Sequence, residues 1–377
     1  MTIALGDGVG AVRCLDDGNS ICAAISAVAA EVGSIRLVLG WLPAVVAGLD
    51  PEAFTDVVAL MPGWGARDVL RSPKARFVPT SLAGIPSLLA GPLRPDLLVT
   101  RLVRRAGRLY FGTEVSWQRE VIDAGVPALA FVDSAAPAAS GEAPLDSAQV
   151  QVVGQTGDGP IVLRPKEPEP VHEALAERVL RFVPAGARLQ YGPGQLGTAL
   201  LRKVEVPLRI DTGLLTDAVV ELDRRGLLMG EPSATYLIGS ETLYEWADGR
   251  RILHGIDYTH DPTRLSQGEP FFAVNTAIEI DPVGQINVEG VNDRVVGGIG
   301  GHPDFCAAGR MSRAGVSIIA VPTSFNGRSP LVAQLSRPAS TPAHDIDLIV
   351  TEAGHIDLRG AGWSQRHQLI SELFDVD

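Results

Sequence analysis

Between residues 273 and 306 the chain reads AVNTAIEIDPVGQINVEGVNDRVVGGIGGHPDFC, and the residue types gathered there suit the handling of a carbonyl or an anion. Glycines stand at 297, 298, 300 and 301 around Ile299, behind an apolar run patterned like a buried strand. Without a Cβ, glycine lets backbone N–H groups come close to a thioester carbonyl, a phosphate or an oxyanion. Glycine also serves turns that hold nothing, so its neighbours decide. His302 follows the turn directly; an imidazole titrates near neutral pH and can take a proton from an attacking water. Glu279 is a second acid–base candidate, although an acid in a strand pattern also fits a structural role with hydrogen-bonded partners.

Other constellations carry less. Gly192, Gly194 and Gly197 in ARLQYGPGQLG stand in G-x-G-x-x-G spacing before a helical pattern, with Asp211 further on, as in a dinucleotide-binding turn. Arg188 and Gln190 in the short preceding strand, Pro193 inside the turn and the early Asp211 all weigh against a nicotinamide ligand. His254 and His260 in HGIDYTHD have no third ligand at zinc spacing, so no metal is expected. The G-R-S at 327–329 lacks the strand, elbow and helix that a nucleophilic serine requires.

The elements that must position these residues follow an α/β pattern. Short apolar runs, SIRLVLG (34–40), DLLVT (96–100), PALAFVD (127–133), LIGS (237–240), FFAVNTAI (271–278), SIIAVP (317–322) and DLIVTEAG (347–354), alternate with helical stretches. Such alternation predicts α/β architecture with mainly parallel sheets. Helices are expected at 173–183, 197–204 and 216–228, the last entered through Thr216 and Asp217 and stopped at Gly226. The polar, proline- and glutamate-rich RPKEPEPVHEAL separates two sets of elements, which predicts domains at 1–165 and 166–377.

Bulk properties narrow the partners. A length of 377 residues favours two domains, and 46% hydrophobic residues support sizeable cores. The net charge of −12 argues against nucleic acid. No apolar run spans a bilayer and MTIALGDGVG lacks a basic region ahead of an apolar one, so neither membrane nor secretion is expected. Three cysteines without C-x-x-C spacing fit a reducing cytoplasm.

Several linked motifs resemble the acetyl-CoA hydrolase/transferase family, which includes 4-hydroxybutyrate and succinyl-CoA:acetate CoA-transferases. They are Asn275-Thr276-Ala277-Ile278-Glu279-Ile280-Asp281, then Gly284-Gln285-Ile286-Asn287, then the turn from Gly298 through Phe305, then SIIAVPTS and IVTEAGHIDLRG. FVPTSLAGIPSLL, RPDLLV, FGTEVSW and ARLQYGPGQLG are fainter counterparts in the first half. The resemblance implies two CoA-transferase-like domains and an acyl-CoA ligand, with no cofactor beyond the coenzyme A of the substrate. It implies a homodimer or higher oligomer, a heteromer remaining open. Gly192, Gly194, Gly298, Gly300 and Gly301 would line the acyl-CoA site, and Asn275 would polarise a carbonyl.

One departure from the family decides the expected chemistry. Where CoA-transferases of this family carry a glutamate that forms a glutamyl thioester, this chain has Gly213 within Arg209-Ile210-Asp211-Thr212-Gly213-Leu214-Leu215-Thr216-Asp217. A glycine cannot form an acyl anhydride, so the covalent route is closed at that position. The reading is therefore a hydrolase, cleaving a thioester or the C–C bond of a β-keto acyl-CoA, with His302, Asp211 and Glu279 as candidate catalytic groups. The alternatives are a CoA-transferase with a displaced carboxylate and a non-catalytic CoA-binding subunit.

Overall fold

The computed structural model describes residues 1–11 and 13–375. By contact the chain divides into two units: Met1–Leu163 with Ala234–Tyr258, and Arg164–Ser233 with Thr259–Asp377. The first division lies beside the polar linker at 164–175. A second follows from the return of residues 234–258 to the first unit, where the sequence reading had drawn a single boundary.

The first unit is built on an eight-stranded sheet. Its strands are β1 (Thr2–Leu5), β2 (Arg36–Leu39), β3 (Asp56–Ala59), β4 (Ala75–Phe77), β5 (Leu97–Arg105), β6 (Arg108–Tyr110), β7 (Ala128–Asp133) and β8 (Val150–Thr156). The order is β4-β3-β2-β1-β5-β7-β8, all parallel, with β6 antiparallel to β5. Strand order reverses between β1 and β5, the kind of place where open α/β sheets leave a crevice at the strand ends. Helix α1 (Ile21–Val32) starts at Ser20, whose side chain accepts from the Ala23 N–H, and stops at Gly33 in the left-handed region. Ile21, Cys22 and Ala29 bring its apolar face onto Ile3, Leu37 and Val57.

The second unit holds a six-stranded sheet. Its strands are β9 (Arg188–Tyr191), β10 (Arg209–Ile210), β11 (Phe271–Asn275), β12 (Val316–Ala320), β13 (Leu348–Val350) and β14 (His355–Asp357). They run β10-β9-β11-β12-β13-β14, parallel except for the last pair. Every residue of β11 and β12 is buried, as expected of strands covered on both faces. Helices α2 (Pro170–Leu180), α3 (Gln195–Lys203), α4 (Asp217–Arg224), α5 (His302–Met311) and α6 (Trp363–Phe374) belong to the same unit. Mainly parallel sheets in both units realise the predicted α/β class, and the helices expected in the middle of the chain form within a few residues of their predicted bounds.

Candidate active site

The glycine turn of the second unit runs into the N-terminus of α5. Gly300 takes φ +64°, where a side chain would be strained, and Gly301 is the N-cap. Gly298 is half-buried in the same loop. Pro303 stands in the first turn of α5, where its missing N–H costs nothing. A ten-residue helix beginning here, with no side-chain cap and with Asp304 in its first turn, points the positive end of its dipole at the turn.

His302, the first residue of α5, is clamped. Its Nε2 lies 3.0 Å from the Thr276 carbonyl oxygen, which can only accept, so Nε2 carries the proton. Its Nδ1 then accepts from the Thr341 hydroxyl at 2.6 Å. Burial pushes its pKa down to about 4 against the raising effect of the Thr276 hydrogen bond. With both nitrogens engaged and little basicity left, this imidazole ties two loops to a helix; it is not poised over a water. The general-base role expected of His302 thus meets a geometry that does not favour it.

The two acids are equally committed. Asp211, at the end of β10, accepts from Arg264 at 2.9 and 2.8 Å and from Arg188 at 3.3 Å, and is buried. Arg188 also donates to the carbonyls of Leu265, Gln267 and Glu269. Between two guanidinium groups Asp211 stands as a counter-ion, an arrangement that does not favour the role of base expected of it. Glu279 accepts through Oε2 from Asn287 Nδ2 (2.7 Å), the Ser336 N–H (2.9 Å) and the Ser336 hydroxyl (3.0 Å). It pins the 336 loop to the hairpin formed by Glu279–Ile280 and Ile286–Asn287, the structural role the sequence allowed.

Asn275, at the end of β11, exchanges two amide hydrogen bonds with Gln190 of β9 at 3.1 and 3.2 Å. It also donates to Cys306 Sγ at 3.6 Å, and that sulfur lies 3.6 Å from His302 Nδ1. A cysteine, histidine and asparagine in contact suggest a nucleophile, but Cys306 is fully buried and burial drives its thiol up to about 12. It packs as a small apolar residue. Gly192 and Gly194 would meet nothing within 4 Å if given a Cβ, leaving room for close approach to the backbone there, whereas Gly197 is demanded by packing against Gly192 O and the Tyr191 ring.

Gly213 does not face open space. A Cβ there would lie 3.1 Å from His260 Nε2 and 3.4 Å from Phe305, and a Cβ on Gly301 would collide with the same imidazole. His260 is buried, its ring 4.7 Å from that of Phe305. Its Nδ1 pairs with the Thr259 hydroxyl at 2.9 Å, whereas its Nε2 is buried with no hydrogen-bond partner. Burial, with the charge of Arg264 second, pushes its pKa down to about 3.

In the first unit the sequence reading missed a polar cluster. The loop Gly6-Asp7-Gly8-Val9-Gly10 leaves β1 beside β5, with the Gly6 N–H bonded to Val99 O. Asp7 accepts from Tyr236 OH (2.9 Å), Ser116 Oγ (3.1 Å), Trp117 Nε1 (3.1 Å), Gln118 Nε2 (3.3 Å) and the Trp41 N–H (3.3 Å). Ser116 holds φ +53° and contacts Tyr236 OH at 2.6 Å. Glu114 accepts from the Gly10 N–H and the Thr113 hydroxyl, and a Cβ on Gly8 or Gly10 would clash with it. Burial raises Asp7 to about 6 and Glu114 to about 7. The available signal was G-D-G-V-G following a four-residue apolar strand.

Comparison with known proteins places this geometry. Residues 239–375 match the acetyl-CoA hydrolase/transferase C-terminal domain. Residues 239–375 thus carry the C-terminal domain of the acetyl-CoA hydrolase/transferase family. It is 24% identical over 321 residues to the 4-hydroxybutyrate coenzyme A transferase of Clostridium kluyveri, covering 80% of this chain and 75% of that one. It is 28% identical over 345 residues to a succinyl-CoA:cyclohexane-1-carboxylate CoA transferase of Geobacter metallireducens, covering 84% and 78%. The crystal structure of RipA from Yersinia pestis superposes with a TM-score of 0.87 at 22% identity, over 99% of this chain and 90% of that one, which shows a shared fold. The glycine turn, Asn275 and Glu279 all lie inside the matched residues; Gly213 lies before them.

Proposed function

We propose that this protein belongs to that family over its whole length, that it is an enzyme acting on an acyl-CoA, and that it hydrolyses the thioester without forming a glutamyl-CoA intermediate. The observation that carries the reading is the surroundings of Gly213. No side chain leaves the backbone there, the space beside it holds an imidazole, and Asp211, two residues earlier, is bound to Arg188 and Arg264. The ordinary product of a carboxylate nucleophile thus has nowhere to form at this place in the loop.

Water can be the nucleophile instead. It adds to the thioester carbon, negative charge develops on the carbonyl oxygen, and collapse breaks the C–S bond to release CoA as the thiol. Donors prearranged at a helix N-terminus, such as Gly300 and Gly301 before α5, are suited to that oxygen; one such donor is worth about 3–4 kcal/mol of barrier. Coenzyme A enters only as part of the substrate in this proposal. The CoA-transferase alternative takes support from the two curated relatives and requires a carboxylate from elsewhere. Incubation with acetyl-CoA followed by borohydride or hydroxylamine and intact-mass measurement separates the two. An unchanged protein mass is expected; a covalent CoA adduct or a reduced carboxyl would establish the transferase route.

A further inference from the structure

His260 has no part in the mechanism above, yet it is buried beside the glycine turn in an arrangement that packing alone does not explain. It is 1% exposed, and its Nε2 is buried without a partner. Buried polar side-chain atoms are almost always hydrogen-bonded, because leaving one unmade forfeits its hydration for nothing. The edge of the ring that carries Nε2 faces Gly213 and Gly301, two positions at which any Cβ would press on it. Gly301 is also the N-cap of the ten-residue helix α5, so the bare nitrogen and the positive end of a helix dipole converge.

We propose that His260 is a catalytic residue, a neutral imidazole whose Nε2–H donates to the thioester carbonyl oxygen as that oxygen becomes negative. The inference rests on the acyl-CoA reading above and names the group that would serve it. In the tautomer assigned here the Thr259 hydroxyl, 2.9 Å away, donates to Nδ1 and the ring proton sits on Nε2, which makes His260 a donor on the side of the two glycines. Burial and Arg264 keep the ring uncharged throughout the working range of pH, so it donates without gaining or losing a proton. In the step itself water oxygen bonds to the carbonyl carbon and the carbonyl π pair moves to the oxygen held by Nε2–H. When the C–S bond breaks, that pair returns, and the proton lost by water ends on the departing sulfur. Nε2 is closed to solvent in this structure, so the carbonyl reaches it when the Gly213 backbone, between Arg209–Ile210 and Leu214–Leu215, withdraws.

Two variants test this against a merely structural role. His260→Phe keeps an aromatic ring beside Phe305 and removes the donor; His260→Gln keeps an N–H. With acetyl-CoA and butyryl-CoA as probes, H260F is expected to lower kcat by ~100-fold or more with KM changed by less than ~3-fold, while H260Q recovers part of kcat. The Tm of H260F is expected to equal or exceed that of the wild type, since an unpartnered buried atom has been removed. Nitrogen-15 spectra of histidine-labelled wild type, assigned by the signal lost in H260F, should show a neutral Nε2–H tautomer from pH 5 to 8. Full kcat in H260F, a kcat loss that parallels a fall in Tm, or an Nδ1–H tautomer would each overturn the assignment. Turnover by the wild type with an unimpaired H260F sinks this inference alone, whereas a wild type that cleaves no acyl-CoA sinks the hydrolase reading and this inference with it.

Discussion

Asp7 and Glu114 of the first unit and His260 of the second are buried under different terms. In the first, Asp7 and Glu114 are fully enclosed, and the chain gathers donors around them: a tyrosine, a serine, a tryptophan, a glutamine and a main-chain N–H on Asp7, a threonine and a main-chain N–H on Glu114. In the second, His302 is saturated in the same way, but His260 keeps one nitrogen bare against two glycines. A saturated buried group rigidifies what surrounds it. An unsaturated one costs stability unless a ligand completes it, so the contrast separates scaffold from candidate chemistry within one chain.

Breaking the saturated cluster should give the largest effect on stability. Asp7→Ala leaves the Tyr236, Ser116, Trp117 and Gln118 donors around Asp7 without that acceptor, and a loss of ~3 kcal/mol or more is expected in urea unfolding. Wild-type stability in that variant would mean the cluster does not hold the loop after β1.

Acid and alkali should sharpen the contrast because the shifts have opposite signs. Asp7 and Glu114 are raised to about 6 and 7, so the folded first unit holds protons that the unfolded chain has released. Their contribution is complete below about pH 4 and is lost as pH rises through 6 to 7. His260 and His302 are lowered to about 3 and 4, so below about pH 6.5 the unfolded chain binds protons that the folded second unit refuses. Their contribution is lost as pH falls from there, on the order of 2 kcal/mol for each histidine by pH 5. Hydrogen exchange, corrected for intrinsic rates, should show the strands of the second unit less protected at pH 5 than at pH 8, and those of the first unit the reverse. Parallel changes in both units would contradict the opposed burial.

The smallest effect is expected at His302. Gln can donate to Thr276 O and leaves Thr341 one acceptor short, so His302→Gln should cost ~1 kcal/mol and leave kcat within ~3-fold. A ~100-fold fall in kcat at unchanged Tm would restore His302 as the general base.

Much of the fold was legible because it is written locally. Runs such as SIRLVLG and FFAVNTAI are long and apolar enough to signal buried strands, and β2 and β11 form there. The strand at Thr2–Leu5 is only four residues long and carries no signal of its own beyond the G-D-G-V-G loop after it, which places Asp7. The return of 234–258 to the first unit leaves no trace in composition, since Tyr236 finds Asp7 across 229 positions. At the candidate site the glycine turn was visible as spacing. The partners of His302, Asp211 and Glu279 were not, because each is fixed by a residue distant in sequence. His260 was weighed only as a metal ligand, since nothing in YTHDPTRL reveals that Gly213 and Gly301 close on it.

The most direct test of the central claim is the release of CoA thiol from acetyl-CoA by wild-type protein, followed chromatographically with and without added carboxylate acceptors such as succinate or butyrate. Hydrolysis through water is expected to release thiol at a rate that no acceptor changes, with acetate as the only new acid and the protein mass unaltered. Release that depends on an acceptor, with the acyl group exchanged onto it, would contradict the account and point to a carboxylate of the chain as the nucleophile.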